Sequence, residues 1–342
     1  MDLREHVRYP EIKSWHGMTY PFVSIIIPAF NAQDTLPICL NSLMDLDYPQ
    51  ESREIILVNN NSTDATEAIA RRYQITILEE SEVQSAYAAR NRGIRFAKGE
   101  VLAFTDTDCI VSPQWLKNLL SVYNNPEIWC FAGDILSYQP KTLAEKFADL
   151  DDENHNQQRE LTSGYLPAAN TANVAYRKDV FTKIGLFNIH LKWSGDAEFT
   201  WRLIKLTNYK IHFNPDAVVY HKHRSSLRKL YLQNREYGEG ITDLLKLYPG
   251  SCGDTFWFAK DIFIFGFRGM KSLPGNLYRY YRRDISKVEV WFDLLKAMCR
   301  LGLVVGRVRA QGRRDGESIS RLLIVRYLLS KSFIRLKSFL VP

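Results

Sequence analysis

Phe104-Thr105-Asp106-Thr107-Asp108 is the segment of this 342-residue sequence best suited to chemistry, an apolar run ending in two carboxylates one residue apart. In extended backbone, residues i and i+2 point the same way, so both carboxylates can face one hard divalent cation. Mg2+ keeps several waters and takes one or two carboxylates plus substrate phosphates, a sparse demand that this pair meets. The bland alternative is a solvated turn. A second setting is Trp193-Ser194-Gly195-Asp196-Ala197-Glu198, where Asp196 follows a glycine and precedes an amphipathic helical pattern. There it either caps the helix or accepts a proton from an acceptor hydroxyl. His221, just after the strand-like residues 217–220, is either a metal ligand or a polar loop residue. Asn60 lies in Asn59-Asn60-Asn61-Ser62-Thr63-Asp64, where its amide can pair with the edge of a base. The helix start that follows can hold phosphate through its N–H groups. Asp64 and Glu67 have the spacing of an N-cap and its reciprocal partner.

These residues need a scaffold, and the pattern between 22 and 110 supplies one. Strand-like runs at 23–27, 54–58, 75–78 and 101–105 alternate with helix-like runs at 34–46, 64–73 and 86–97, and Gly99 reads as a C-cap. Repeated β-α-β with short links predicts a parallel sheet covered on both faces. Ligands of such sheets sit beyond the carboxyl ends of the strands, where strand order reverses, which selects residues 28–34, 59–64 and 106–109. Phe213-Asn214-Pro215 reads as a turn before strand 217–220, and the chain is mostly helical from about 226 onward.

Composition narrows the class. Hydrophobic residues make up 46% of the chain, which excludes disordered and collagen-like proteins. Five dispersed cysteines, Cys39, Cys109, Cys130, Cys252 and Cys299, argue against a disulfide framework and a CxxC zinc site, and suit a reducing, cytosolic setting. The charged N-terminus predicts no signal peptide. The longest uncharged run, 14–33, contains Pro21 and Pro28 and does not read as a spanning helix. The net charge of +7 is uneven: residues 251–342 hold 18 Lys and Arg against 7 Asp and Glu. Aromatic and aliphatic clusters interrupt that basic region, among them Phe256-Trp257-Phe258, Ile262-Phe263-Ile264-Phe265 and Leu322-Leu323-Ile324-Val325. Such a region predicts either a helical lid with a solvated basic side or contact with an anionic membrane surface. It matches no nucleic-acid-binding motif, so no nucleic acid partner is expected.

Taken in order, these pieces resemble the family 2 glycosyltransferases. The resemblance is carried by 23–31 (VSIIIPAFN), 57–64 (LVNNNSTD), Ala89-Arg90-Asn91-Arg92-Gly93, Asp106-Thr107-Asp108, Asn173-Val174-Ala175-Tyr176-Arg177 and Ser194-Gly195-Asp196-Ala197-Glu198-Phe199. It implies a GT-A-type, mostly parallel α/β sheet flanked by helices, with a catalytic domain over 1–225 and a basic helical region over 226–342. It implies that Pro28, Ala29 and Phe30 cradle the nucleoside, that Asn60 stands where an aspartate usually reads the base, and that Arg90 lies in a helix on the nucleotide side. Asp108 then corresponds to the direct ligand of Mg2+ or Mn2+ and Asp106 to a residue nearer the ribose. His221 corresponds to a further metal or diphosphate contact. Asp196 aligns with the catalytic base, Glu198 and Arg202 sit in the same helix start as substrate-binding candidates, and Trp193 with the segment 167–173 would face the acceptor.

The sequence departs from the family pattern at Asn59 and Asn60, which replace the usual aspartates, and at Gly195, which replaces a common glutamate. It has no Gln-x-x-Arg-Trp motif, so transfer of one sugar per encounter is expected rather than polymer synthesis. The implied reaction takes a sugar, with inversion, from a nucleoside diphosphate to an acceptor hydroxyl. The acceptor would be a saccharide or lipid-linked saccharide in cell-envelope or exopolysaccharide synthesis, at the inner face of the plasma membrane. A sugar nucleotidyltransferase should carry a glycine-rich phosphate loop where Pro28-Ala29-Phe30-Asn31 stands, and a dinucleotide dehydrogenase should carry G-x-G-x-x-G. A non-catalytic scaffold on the same fold is the remaining alternative.

Overall fold

Val23, Ile25, Ile26 and Ile27 are all fully buried, as a strand covered on both faces requires. Burying each such side chain is worth about 1.5–3 kcal/mol relative to leaving it in water. The structure, a computed structural model, describes residues 7–8, 20–151, 157–162, 166–251 and 255–312. Cys252, Leu322-Leu323-Ile324-Val325 and the side chains of Phe256-Trp257-Phe258 lie outside the described residues.

In chain order the first elements are β1 (Val7–Arg8), β2 (Val23–Ala29), α1 (Leu36–Met44), β3 (Arg53–Asn59), α2 (Thr66–Ala70), β4 (Thr76–Glu79), α3 (Ala86–Phe96) and β5 (Val101–Phe104). Then come β6 (Cys109–Val111), α4 (Trp115–Leu119), β7 (Ile128–Ser137), α5 (Leu143–Leu150), α6 (Gln157–Thr162), β8 (Val174–Arg177) and α7 (Asp179–Lys183). The last are α8 (Gly195–Leu206), β9 (Lys210–His221), α9 (Leu227–Leu247), α10 (Thr255–Tyr281) and α11 (Lys287–Gly312). By contacts the chain divides into two compact units, one of residues 1–139 and 151–222 and one of residues 140–150 and 223–342.

The first unit is built on one sheet in the order β1-β9-β7-β8-β5-β2-β3-β4, with β6 added against β9. From β2 to β5 the pairings are all parallel. Both β3 and β4 lie on one side of β2 and β5 on the other, so strand order reverses at β2. Antiparallel pairing enters with β8, which runs against β5 and β7, and with β6 against β9. The main core of this unit includes Leu36, Cys39, Leu40 and Leu43 of α1, the i, i+3, i+4 stripe that the sequence shows. Cys39, Cys109, Cys130 and Cys299 are buried thiols.

Two local expectations are corrected. Phe213-Asn214-Pro215 is no turn between elements: it lies inside β9, where pairing with β7 shifts from Gly133↔Asn214 to Asp134↔Val218 and leaves 215–217 out of the ladder. Pro215 has no N–H to donate, so a bulge is where a strand tolerates it. Gly99 does not cap α3, whose C-cap is Ala97. A Cβ on Gly99 would stand 2.5 Å from the Ser24 backbone nitrogen, so the glycine serves close packing.

The second unit is helical, formed by α5, α9, α10 and α11. Ala144 and Phe147 of α5 share a core with Leu230 of α9 and Val288, Leu295 and Cys299 of α11. The backbones of α9 and α11 meet closely at Gly306, where a Cβ would collide with the Arg235 carbonyl. Among the described residues no helix is long and apolar enough to cross a membrane.

Candidate functional site

The loops after β2 and β3 lie side by side at the reversal point and are tied by hydrogen bonds. Asn60 N–H donates to the Ala29 carbonyl at 2.8 Å and Thr63 N–H to Asn31 Oδ1 at 2.8 Å. Asn31 and Asn61 adopt φ of 47° and 61°, left-handed backbone that asparagine tolerates better than most residues. Asp64 does not cap α2, whose N-cap is Ala65 with no side-chain bond. It joins the two loops, accepting from Gln33 N–H at 3.1 Å and from the Thr66 hydroxyl and N–H at 2.5 and 3.0 Å. Desolvation works against its charge, yet these donors hold its carboxyl below the ordinary range. Glu67 pairs with Arg71.

Asn60 is placed differently from the base-reading role. Its side-chain NH2 donates to the carbonyls of Glu80 and Val83 at 2.7 and 2.9 Å, and its Oδ1 accepts from Ser85 N–H at 2.8 Å. The amide is buried and spends its hydrogen-bonding capacity tying down the chain that leads into α3. What the paired loops leave open is Phe30, 53% exposed, next to buried Ala29 and half-buried Pro28.

Past β5, Asp106 and Asp108 sit on a tight turn closed by Cys109 N–H to the Asp106 carbonyl at 3.1 Å. The extended-strand reading is therefore corrected: the strand ends at Phe104, and the turn sends the two carboxylates to different partners. Asp106 Oδ1 meets the Arg90 guanidinium at 2.5 Å, while Asp108 Oδ2 meets His221 Nε2 at 3.5 Å. His221 gets there because β6 pairs with β9 in the register Cys109↔His221. Among the described residues no three His, Cys, Asp or Glu side chains gather as a closed metal site. Asp108 and His221 offer one carboxylate and one imidazole, a partial donor set that suits Mg2+ or Mn2+ when substrate oxygens and water complete it. Arg90 itself is 4% exposed, and its buried Nε has no hydrogen-bond partner, leaving a donor for an anionic oxygen.

Asp196 stands one residue into α8, after Ser194 in the left-handed region with φ of 60°. It is not the cap. Its Oδ1 accepts from Ala197 N–H at 2.9 Å and faces the Tyr87 hydroxyl at 3.4 Å. The same hydroxyl accepts from Gly195 N–H at 2.8 Å. A Cβ on Gly195 would lie 2.7 Å from the Tyr87 ring, so glycine is there because the phenol fills the space. Burial pushes the Asp196 carboxyl above its ordinary range, opposed by the Ala197 N–H and the positive charge of Arg90. A carboxylate held this way is a stronger base than a surface aspartate.

Tyr87 is the residue that the sequence reading missed. Its signal was positional: Tyr87 and Arg90 are three apart at the start of one helix and share a face, with the guanidinium 5.5 Å from the ring centroid. Through them α3 reaches both Asp106 and Asp196. Glu198 and Arg202 form a two-bond pair at 3.0 and 2.9 Å, and Arg202 also donates to the carbonyls of Ile184 and Leu186, so the pair fastens that segment to α8. Most of 167–173 is buried, and Asn173 joins Trp115 Nε1 to the carbonyls of Asp134 and Ala217. Trp193 is partly exposed, and its buried Nε1 has no partner.

Residues 24–185 match the model of glycosyl transferase family 2. The chain is 34% identical over 213 residues to the glycosyltransferase AglE of Haloferax volcanii, covering 60% of this chain and 68% of that one. It is 27% identical over 261 residues to a Methanococcus voltae dolichyl N-acetyl-α-D-glucosaminyl phosphate 3-β-D-2,3-diacetamido-2,3-dideoxy-β-D-glucuronosyltransferase, covering 67% of this chain and 78% of that one. Among solved structures it resembles the mannosyltransferase PcManGT of Pyrobaculum calidifontis in complex with GDP-Man and Mn2+, with a TM-score of 0.51 and 18% identity, over 93% of this chain and 81% of that chain. At that identity the likeness concerns the fold.

Proposed function

Since the chain belongs to glycosyl transferase family 2 and has a GT-A fold, we propose that it transfers a single sugar from a nucleoside diphosphate to an acceptor hydroxyl, with inversion at the anomeric carbon. The observation that carries the reading is the reach of α3 to both carboxylates, through Arg90 to Asp106 and through Tyr87 to Asp196. Asp196 takes the proton of the acceptor hydroxyl as that oxygen attacks the anomeric carbon from the face opposite the diphosphate. The bond from the anomeric carbon to the diphosphate oxygen breaks, and its electron pair leaves with the nucleoside diphosphate. Arg90 Nε donates to the charged diphosphate side, and the paired loops with Phe30 hold the nucleoside. Asp108 and His221 would hold Mg2+ or Mn2+, which when bound supplies positive charge to the leaving diphosphate.

The acceptor we favour is a lipid-linked saccharide in the synthesis of a cell-envelope or extracellular glycan. Support comes from the Methanococcus voltae relative, whose name specifies a dolichyl phosphate-linked sugar, and from the basic excess in 251–342. The test is thermal unfolding with UDP, GDP, CDP and dTDP, each with Mn2+ and with EDTA. A diphosphate at 100 times its Kd is expected to stabilise the protein by about 2.7 kcal/mol, in the Mn2+ arm alone. No stabilisation by any of the four would overturn the reading.

A further inference from the structure

Helix α10 of the second unit is amphipathic in an unusual sense, because its apolar stripe is exposed. Phe263, Phe267, Met270, Leu277 and Tyr281 are 66%, 66%, 64%, 46% and 85% accessible. Their spacing of i, i+4, i+7, i+14 and i+18 keeps them on one side of a helix with 3.6 residues per turn, and exposed Pro274 at i+11 continues the line. The face that packs on the rest of the unit is a different one: Gly269 is buried against Leu294 of α11. Beyond the stripe, away from that packed face, lies a third sector with Arg268, Lys271 and Arg279, and Arg282 follows the helix end; all four are exposed. Arg268 stands 3.5 Å from Asp293 and Arg282 3.7 Å from Asp284. Asp261 is the one acidic residue of α10, and it faces Arg300 at 3.4 Å.

Buried face, apolar face and basic face thus follow one another around α10. A helix standing through a bilayer would bury the basic sector in hydrocarbon, and a helix in water gains nothing from exposed phenylalanines. A helix lying flat at a bilayer surface satisfies both sectors: aromatic and aliphatic side chains enter the acyl boundary while Lys and Arg meet phosphate headgroups. At 1.5 Å per residue the helix offers a contact about 40 Å long. We propose that α10 docks the protein onto an anionic membrane by this face. The occupant is a lipid surface because charge complementarity selects it: the apolar stripe is bordered by cations, and residues 251–342 carry an excess of 11 positive charges. The proposal needs neither donor nor Asp196 and stands apart from the transfer reaction.

The test is flotation of the full chain with vesicles of phosphatidylcholine alone and of phosphatidylcholine mixed with phosphatidylglycerol, without nucleotide. Recovery is expected with the mixed vesicles and to fall about tenfold or more without the anionic lipid. Phe267→Glu and Met270→Glu, at exposed positions, should lower recovery about tenfold while thermal unfolding in solution stays unchanged. Lys271→Glu with Arg279→Glu should lower it too, whereas Phe267→Trp should retain it and show blue-shifted emission on vesicle addition. Equal recovery on both vesicle types, or undiminished recovery of Phe267→Glu, overturns the proposal. So does a wild type that self-associates, ignores vesicles and becomes monomeric on Phe267→Glu, which would make the stripe an interface between two copies.

Discussion

Asp106 and Asp196 are both held from α3, and they are held in opposite ways. Asp106 keeps a side-chain accessibility of 31% and is met by the Arg90 guanidinium. Asp196 is matched by a phenol that carries no charge, and burial raises its carboxyl above the ordinary range. One helix therefore sets a cation beside one carboxylate and a neutral hydroxyl beside the other. A site that must hold an anionic leaving group and deprotonate a hydroxyl needs both behaviours within one small volume.

The largest way to break the comparison is Asp196→Asn. Turnover should fall about 10²–10⁴-fold, the usual worth of a general base. Near-normal single-turnover rates would remove Asp196 from that role. The same variant should be more stable at neutral pH, and the sign follows from the raised carboxyl. A group bound to its proton more tightly in the folded state stabilises the fold below its unfolded pKa, and that contribution is lost as pH rises through the folded value. At neutral pH the desolvated ion is a liability that the amide removes. The gain in melting temperature should shrink on acidification toward the ordinary aspartate value, about 3.9.

The next effect tests the other half. Arg90→Gln leaves Asp106 without its cation and takes away the buried Nε donor, so it should destabilise the protein by about 1–3 kcal/mol. It should also weaken binding of the nucleoside diphosphate, read by titration calorimetry. Loss of stability with unchanged diphosphate affinity would confine Arg90 to bracing the Asp106 turn.

The sequence shows the frame of this site more plainly than its wiring. The run Val23-Ser24-Ile25-Ile26-Ile27 and the alternation up to Phe104 locate the strands, and the strand-end rule then points to 28–34, 59–64 and 106–109 because parallel order alone fixes where loops gather. What hydrogen-bonds to what depends on register and on residues distant in sequence. Asn60 looks available until the chain at 80–85 folds over it, 20 to 25 residues on. His221 reaches Asp108 through the β6–β9 pairing, on a strand that the bulge at 215–217 makes longer than its apolar run suggests. Glu198 and Arg202 are four apart on one helix, a spacing that pairs them with each other as readily as with a substrate. Gly195 stands where a glutamate is common, and the reason, the Tyr87 ring, lies 108 residues away.

Tyr87→Phe is the mildest test and the one that sharpens the comparison most. It removes a single oxygen that serves two neighbours, accepting from Gly195 N–H at 2.8 Å and facing Asp196 at 3.4 Å. The lost partner of a buried N–H costs about 1–2 kcal/mol, visible in denaturant titration. The long contact to Asp196 is weaker, and losing a donor to the charged form raises a carboxyl further. The acid limb of kcat/KM, already displaced upward by burial, should therefore move up again by a fraction of a pH unit, with the plateau rate at higher pH nearly intact. A drop in stability with an unmoved limb would make Tyr87 a brace for the α8 start. A moved limb would make the phenol part of what sets the proton affinity of Asp196, and the contrast with Asp106 would then rest on the two side chains that α3 presents.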